Sequence, residues 1–387
     1  MFGFKKYFFL TVLVFVAFRT LWASKLAEMK VVDKDYLMLH FIDAEVVFKD
    51  SGKCQGAYGG HQSLDPANSR VREYGEALDL RKAANIRSWR IRSGNDSNYG
   101  TFGVSPKAVY RKSRVNGMSY TGWDEFNQDQ GFDYTMEHFI YLKLPSSMKQ
   151  DKMYIVEIND TIHADASSQT LTFDIFNCPS EAIHANLVGY MRSSRVKAAD
   201  LYHFMGDGGN RDYSGFVGND VYIYKVDTEN SQRVGSVTFW MANKKETFHN
   251  LTGSDVWNID FTGFNQEGTY RLAVEGVGCS EDFEIRDDIY HDPFKVSVLG
   301  YFYMRIGQDS AGIKPVPRRP LYIQDKDPLN CKIFVTDVHP YCSYWDSVGD
   351  GDQWDNPLWH NPSGWDRFIK SGIPTNPDAI GGHSDAL

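Results

Sequence analysis

The sequence has few cysteines and lacks any strong signature for a bound metal or phosphate. Five cysteines among 387 residues is an odd number, which excludes a small scaffold built from paired disulfides. Gly206-Asp207-Gly208-Gly209 is not followed by the lysine and hydroxyl residue of a phosphate loop, so it predicts a hairpin or bulge connection. Asp350-Gly351-Asp352 lacks the spacing and the glutamate of a calcium loop, and we interpret it as a solvated turn. The sequence therefore predicts no metal and no other cofactor.

One pair of cysteines, Cys331 and Cys342, is close enough in sequence to suggest a local link. The two thiols could form a disulfide after export. Alternatively, they could join His339 and His360 in a structural zinc site, although the spacing matches no strong zinc pattern. Zinc is the weaker of the two interpretations.

Basic side chains are outnumbered by acidic ones. The chain has 41 Lys and Arg against 50 Asp and Glu, and a formal net charge of -9. Proteins that bind nucleic acid without sequence preference use Lys and Arg to neutralise phosphates. The composition therefore argues against nucleic acid as a partner.

Long apolar runs are confined to the N-terminus. Lys5 and Lys6 precede an apolar run over residues 7–18, which is shorter than the roughly 20 residues needed to cross a bilayer. Residues 1–24 are therefore predicted to be a signal peptide cleaved near Ala23-Ser24, which leaves a secreted, periplasmic or cell-surface protein without a stable membrane span. Because Leu21 or Trp22 occupies a position that prefers a small residue, an uncleaved anchor is the alternative.

Apolar and polar residues alternate repeatedly between Val31 and Cys178. In residues 139–144, this period of two predicts that Ile140, Leu142 and Leu144 face a core while the intervening side chains face water. Residues 153–158 and 170–175 predict further strands, and the Gly, Ser, Asn and Asp residues of 49–98 predict long loops. We expect residues 25–178 to form an accessory antiparallel β-sandwich.

A second β-rich stretch follows, over residues 179–287. Its predicted strands are 221–226, 234–240, 256–261 and 270–274, a spacing typical of an immunoglobulin-like sandwich. Gly268-Thr269-Tyr270 predicts a corner at which the tyrosine hydroxyl bonds back to the backbone.

After Asp287-Asp288 the apolar period changes to that of a helix. Phe294, Val298, Phe302 and Ile306 recur every four residues, which predicts a helix over 290–306 with one buried face. Asp292 before Pro293 is typical of a helix start, and Gly307 of a helix end. Little periodicity follows, which suggests entry into a larger domain.

These stretches are similar to parts of one known family. Residues 185–287 resemble the immunoglobulin-like module of the family-9 glycoside hydrolases, the cellulase family, most closely at 260–264 and 268–278. Residues 301–307 resemble the first helix of that family's (α/α)₆ barrel. Gly381-Gly382-His383-Ser384-Asp385-Ala386 resembles its Gly-Gly-x-x-Asp-Ala-Gly-Asp signature. The resemblance covers about half of the chain.

The resemblance implies a catalytic residue, Asp385. In the family, two acids of the signature position and deprotonate the attacking water, and Asp385 corresponds to the first of them. The second acid, which is the general base, would follow Leu387, and the general acid would lie near the end of the barrel. The sequence has Leu387 where the signature usually has glycine. Residues 288–387 are therefore expected to be the N-terminal fragment of the catalytic domain, inactive by itself.

Aromatic residues gather shortly before this motif. Trp345, Trp354, Trp359 and Trp365 are interleaved with acidic side chains. Flat rings suit the C–H face of a sugar, and carboxylates accept hydrogen bonds from its hydroxyls. With His383 inside the motif, the four tryptophans are the candidate substrate-binding residues. The alternative is that the tryptophans belong to a core.

The predicted fold is therefore mostly β, with two tandem antiparallel β-sandwiches followed by the incomplete start of an (α/α)₆ barrel. The predicted function is hydrolysis of β-1,4-glucan or a related plant polysaccharide by an inverting mechanism. Two alternatives stay open at this point. One is a non-catalytic carbohydrate-binding or scaffold protein, and the other is an exo-acting member of the same family, such as a glucosidase or glucosaminidase.

Overall fold

The computed structural model describes residues 23–48, 69–124, 129–242, 252–303, 305–306 and 382–383. Within these ranges the chain is mostly β, as the alternation predicts. The described residues up to 290 lie in one compact unit, and those from 291 onward lie in a second unit. In the part of the chain that the structure describes, no helix has the length and hydrophobicity of a membrane span.

The first sandwich consists of two antiparallel sheets and a small ribbon. Its elements are β1 (Lys25–Asp33), β2 (Tyr36–Ile42), β3 (Ala44–Phe48), β4 (Ser69–Glu73), α1 (Leu80–Ala83), β5 (Trp89–Arg92), β6 (Ala108–Asp124), β7 (Asp129–Lys143), β8 (Lys152–Ile158) and β9 (Ser168–Phe173). One sheet has the order β1-β2-β7-β6 and the other β5-β8-β9, while β3 pairs with β4. The core between the two larger sheets includes Phe41, Trp89, Leu142 and Tyr154.

The expectation of long loops over 49–98 is wrong for its second half. β4, α1 and β5 lie there, and β5 contributes Trp89 and Ile91 to the core with 1% and 0% exposure. The Trp-Arg-Ile-Arg sequence of β5 alternates with a period of two, so the two apolar side chains share the buried face. Residues 49–68 lie outside the described residues.

The second sandwich also has two antiparallel sheets. Its strands are β10 (Ile183–His184), β11 (Ala198–Leu201), β12 (Asp220–Lys225), β13 (Asn230–Ser236), β14 (Thr238–Met241), β15 (Val256–Asp260), β16 (Gly268–Val274), β17 (Gly278–Cys279) and β18 (Phe283–Ile285). The order is β10-β11-β15-β14 in one sheet and β13-β12-β16-β17 in the other, with β18 also on β16. Trp257, Phe261 and Leu272 lie in the core between them.

Two details of this sandwich bear on the sequence predictions. The predicted strand 234–240 is divided at Val237, so that β13 and β14 belong to opposite sheets. The predicted corner is confirmed, because the Tyr270 hydroxyl donates to the Glu267 carbonyl at 3.0 Å.

The β1-β2-β7-β6 sheet is buried on both faces in its part around Phe139 and Tyr141. Phe139 and Tyr141, predicted to face water, are 5% and 0% exposed and pack with Met38 and with Met205 from the second sandwich. The prediction failed here because the water-facing side of this sheet is covered by another part of the chain. The two sandwiches therefore share a third apolar cluster at their junction.

The junction is also held by polar contacts. The Arg211 guanidinium of the second sandwich donates to Asp33 at 2.7 Å and to Asp35 at 3.2 Å. Gly206-Asp207-Gly208 forms a single 3₁₀ turn, and the Asp207 carboxylate accepts from the Arg111 backbone N–H at 2.5 Å. The predicted connection is confirmed, and it rests directly on β6.

Only glycine fits at position 206. Its φ is +66°, a conformation that L-side chains rarely adopt, and a Cβ there would lie 2.1 Å from the Arg111 carbonyl oxygen. A β-carbon at Gly208 would lie 2.6 Å from the Tyr110 ring. The turn can approach β6 this closely only because neither residue has a side chain.

Buried carboxylates make the first sandwich sensitive to acid. Burial alone would raise the pKa of Asp96, but hydrogen bonds from Lys149, Asn98 and Tyr154 outweigh it and lower that pKa. Burial likewise acts against the hydrogen bonds that lower the pKa of Asp43 and Glu137. A carboxyl group whose folded pKa lies below its unfolded value, about 4, stabilises the fold above that value and loses this contribution as the pH falls.

We therefore expect the free energy of unfolding to fall as the pH is lowered from about 5 towards 3. Asp96→Asn should be less stable at neutral pH and should show a shallower decline below about pH 5. Urea titrations across this pH range measure both effects. An unchanged pH dependence in the variant would show that Asp96 does not titrate as its contacts indicate.

Candidate functional site

The predicted helix after residue 288 is present, but it is shorter than predicted. α2 covers His291–Tyr303, and Arg305–Ile306 forms a short strand, β19. Ile306 therefore does not continue the helical stripe, because its backbone pairs with a strand from much later in the chain. The predicted burial is also wrong for the described part of the stripe, since Phe294 is 67% and Val298 is 47% exposed.

The partner of β19 is part of the predicted catalytic motif. Gly382–His383 forms β20, which pairs antiparallel with β19 in the register Arg305 with His383 and Ile306 with Gly382. The backbone of Gly382 and His383 therefore lies beside Arg305–Ile306, although about 76 residues separate the two segments in sequence. No local pattern could predict this pairing, because it joins two segments with no periodicity of their own.

The other predicted site residues lie outside the described residues. They are Asp385, Trp345, Trp354, Trp359 and Trp365, together with the possible cysteine and histidine ligands Cys331, His339, Cys342 and His360. Their roles stay predictions. Among the described residues, no group of three or more His, Cys, Asp and Glu side chains is placed to bind a metal ion.

The two described cysteines are buried free thiols. Cys178 is 5% and Cys279 is 0% exposed, and burial raises the pKa of both, to about 12 for Cys279. Thiols that are both buried and protonated react slowly. These two side chains therefore have a packing role.

A second candidate site lies at the junction of the two sandwiches. It is an open cavity of about 440 Å³ lined by residues from both of them: Lys30, Lys112, Ser180, Glu181, Ile183, His184, Ala185, Leu187, Tyr202, His203, Phe204 and Glu281. Its volume falls within the range of cavities that bind small molecules, about 300–1,000 Å³.

Aromatic rings and opposite charges share the walls of this junction cavity. The His184 and Tyr202 rings stack at 4.0 Å with an angle of 19°, and Phe204 is 41% exposed. The Lys30 ammonium lies 3.8 Å from the Glu281 carboxylate, and burial lowers the pKa of Lys112. With two lysines and two glutamates, the lining carries no net charge.

His203 is the most buried titratable side chain of the cavity. It is 5% exposed, and its Nε2 atom has no hydrogen-bond partner within the described part of the chain. Burial, with the nearby Lys112 charge, lowers the pKa of His203 to about 3, so the ring is neutral at physiological pH. The Glu181 backbone accepts a hydrogen bond from the ring.

No sequence motif marks this cavity. Its one local signal is three consecutive rings, Tyr202-His203-Phe204, which come immediately after β11 and shortly before the Gly206 turn. The other lining residues come from strands and turns that only the packing of the two sandwiches brings together.

Comparison with known proteins gives a short sequence match. No protein-family model matches the chain. Endoglucanase D of Acetivibrio thermocellus is 47% identical over 60 residues, which cover 16% of this chain and 10% of that protein. The chain therefore matches only about a tenth of the length of this curated relative.

Solved structures are more distant. A metagenome-derived glycoside hydrolase family 9 endoglucanase is 20% identical, with a TM-score of 0.29 over 41% of this chain and 26% of that one. The N-terminal part of the bacterial S-layer protein SbsC is 13% identical, with a TM-score of 0.22 over 68% of this chain and 44% of that one. Likenesses at this level support no conclusion, so the sequence match carries the assignment. The match to Endoglucanase D confirms the resemblance predicted from the motifs: part of this chain is similar to the family-9 glycoside hydrolases.

Proposed function

We propose that this chain is part of an inverting glycoside hydrolase that acts on β-1,4-glucan or a related plant polysaccharide. The observation that carries the proposal is the 47% identity over 60 residues to a protein named as an endoglucanase. In the proposed organisation, a signal peptide (1–24) precedes an accessory sandwich (25–178), an immunoglobulin-like domain (179–287) and the first part of an (α/α)₆ catalytic domain (288–387). The protein is exported and meets its substrate outside the cytoplasm.

Asp385 is the proposed water-positioning acid. An inverting glycosidase needs one carboxyl group to protonate the leaving oxygen and a carboxylate to hold water on the opposite face of the sugar, roughly 6.5–9.5 Å apart. Asp385 follows β20 by two residues in the sequence and lies outside the described residues.

The second acid and the general acid of the family have no counterpart that we can assign within residues 1–387. We therefore propose that these residues alone bind substrate without hydrolysing it. His383 and the four tryptophans, Trp345, Trp354, Trp359 and Trp365, are the proposed sugar contacts.

The test compares the present chain with one extended along its coding frame. We expect reducing-sugar release from carboxymethyl cellulose by the extended chain only. Asp385→Asn in the extended chain should lower kcat by at least about 100-fold, because a positioned base contributes about 10²–10⁴-fold. The matched control is Asp227→Asn, which changes an exposed acid of the second sandwich and should retain activity.

Three results would contradict the proposal. They are hydrolysis by residues 1–387 alone, full activity in Asp385→Asn, and a product whose anomeric configuration is retained. The pattern of products from oligosaccharides separates endo from exo action.

A further inference from the structure

We propose that an exposed aromatic face on the first sandwich binds the surface of a neutral β-1,4-linked polysaccharide. The choice of polymer rests on the function proposed above. The face itself is argued from the described residues of β6 and β7, and it uses neither Asp385 nor the four tryptophans.

β6 and β7 continue as a two-stranded arm beyond the rest of their sheet. Among the described residues, β2 pairs with β7 only over 137–143, whereas β6 pairs with β7 as far as Asp124. One face of this arm is covered, since Ser119 and Thr135 are each 2% exposed. The Ser119 hydroxyl lies 2.9 Å from the hydroxyl of Ser69 on β4. The β3-β4 ribbon therefore packs on that face and holds the arm in place.

The opposite face of the arm is apolar. Directly opposed residues of an antiparallel pair share a face, as do residues two apart on one strand. The register places six side chains on the face away from Ser119, which we call the aromatic face: Val115, Met118, Tyr120, Phe132, Tyr134 and Met136. Val115, Met118 and Tyr134 are 49%, 57% and 55% exposed. A contiguous exposed apolar face of this kind marks an interaction site.

Three side chains of the aromatic face are rings that contact each other. The Tyr120 and Phe132 centroids lie 5.7 Å apart, and the Phe132 and Tyr134 centroids lie 6.4 Å apart. Because these rings pack together on a paired backbone, they lose little freedom when a ligand covers them. Their apolar surfaces suit the C–H face of a pyranose, and tyrosine hydroxyls can both donate to and accept from sugar hydroxyls.

The composition of the aromatic face argues against other occupants. None of its six side chains is charged, so it offers no complement to a charged polymer. Surfaces that bind anionic lipid carry Lys and Arg beside their apolar residues, and these six positions have neither. A stable contact with a second copy of the chain would need about 20–30 residues on each side. A neutral polysaccharide agrees with all three facts.

Binding is tested by adsorption of purified residues 1–387 to microcrystalline cellulose. We expect saturable adsorption, which Tyr134→Ala should weaken by at least about tenfold, a loss of about 1.4 kcal/mol. Tyr134→Phe keeps the ring and should retain most of the binding. Because Tyr134 is exposed, its replacement by alanine should leave the melting temperature nearly unchanged.

Trp240→Ala is the matched control. It changes an exposed ring on β14, with 56% exposure, and should adsorb as well as the unchanged protein. The proposal is overturned if residues 1–387 do not adsorb, or if Tyr134→Ala adsorbs as well as Trp240→Ala. It is also overturned if Tyr134→Ala instead abolishes self-association in sedimentation, or binding to vesicles of phosphatidylcholine and phosphatidylglycerol. A second copy or a membrane would then be the occupant.

The proposed function is tested separately from the aromatic face. If the extended chain fails to hydrolyse cellulose while adsorption still depends on Tyr134, only the proposed function is contradicted. If the extended chain hydrolyses carboxymethyl cellulose while Tyr134→Ala adsorbs normally, only the role of the aromatic face is contradicted.

Discussion

Replacing Arg211 with alanine is expected to lower the free energy of unfolding by about 3–5 kcal/mol, the cost of removing one partner from a buried ion pair. The Asp33 carboxylate is completely buried, and Arg211 Nε donates to it at 2.7 Å. The same guanidinium reaches Asp35 at 3.2 Å and lies 4.8 Å from the centre of the Tyr36 ring. Without Arg211, the charge on Asp33 has lost its compensating partner.

The decrease in the free energy of unfolding caused by Arg211→Ala should also depend on pH. Burial already raises the pKa of Asp33 even with Arg211 present. Without the guanidinium the carboxyl group should be protonated at still higher pH, and a protonated group carries no charge to compensate. A carboxyl group with a raised folded pKa favours the native state at low pH, so the deficit of Arg211→Ala should shrink as the pH falls.

Because Arg211 belongs to the second sandwich and Asp33 to the first, the variant should also reduce their cooperativity. Urea unfolding followed by tryptophan fluorescence measures both quantities, and we expect the single transition to broaden or divide. Arg233→Ala is the matched control, since Arg233 pairs with Asp220 on the surface and should contribute little to stability. If the urea midpoint of Arg211→Ala equals that of Arg233→Ala, the ion pair between Arg211 and Asp33 does not stabilise the junction.

Trp89→Ala is expected to cost about 3–5 kcal/mol, as large-to-small changes of buried aromatic residues do. Trp89 is 1% exposed, lies between the two sheets of the first sandwich and contacts the Phe41 ring at 6.3 Å between centroids. Its indole N–H donates to the Ala83 carbonyl at 2.7 Å, which ties β5 to α1. The variant therefore loses packing and one buried hydrogen bond.

Trp89→Phe separates these two losses. It retains a ring and should cost less than the alanine variant, mainly through the unsatisfied Ala83 carbonyl, about 1–3 kcal/mol. Trp240→Ala is the control because Trp240 is 56% exposed on β14. Thermal unfolding of the three variants gives the comparison. Equal losses for Trp89→Ala and Trp240→Ala would contradict the placement of Trp89 in the core.

The same residue shows how far the sequence predicts the fold. A period of two correctly predicts most strands, since it follows from the geometry of a strand alone. It also applies to Trp89 and Ile91, but the polar composition around them favoured loops. Phe139 and Tyr141 show a different limit, because alternation predicts two faces and cannot show that a second sandwich covers both.

The candidate site was predictable only as a set of residue types. Gly-Gly-His-Ser-Asp-Ala is recognisable as a motif, but the pairing of Gly382–His383 with Arg305–Ile306 depends on contacts between distant segments. Likewise, Tyr202-His203-Phe204 is recognisable as three consecutive rings, but the burial of His203 against Tyr141 depends on the packing of the two sandwiches. Sequence patterns describe single elements, whereas both candidate sites depend on the packing of several.

The bare backbone of the Gly206 turn has a consequence for how such proteins can be rearranged. The backbone of the turn contacts the backbone of β6. If either sandwich were moved alone into another protein, the residues that contact the other sandwich would therefore be exposed. The first sandwich would expose Phe139 and Tyr141. The second sandwich would leave Met205 without its apolar contacts and Arg211 without Asp33. The two sandwiches should therefore be transferred together, as one folding unit, rather than as independent domains.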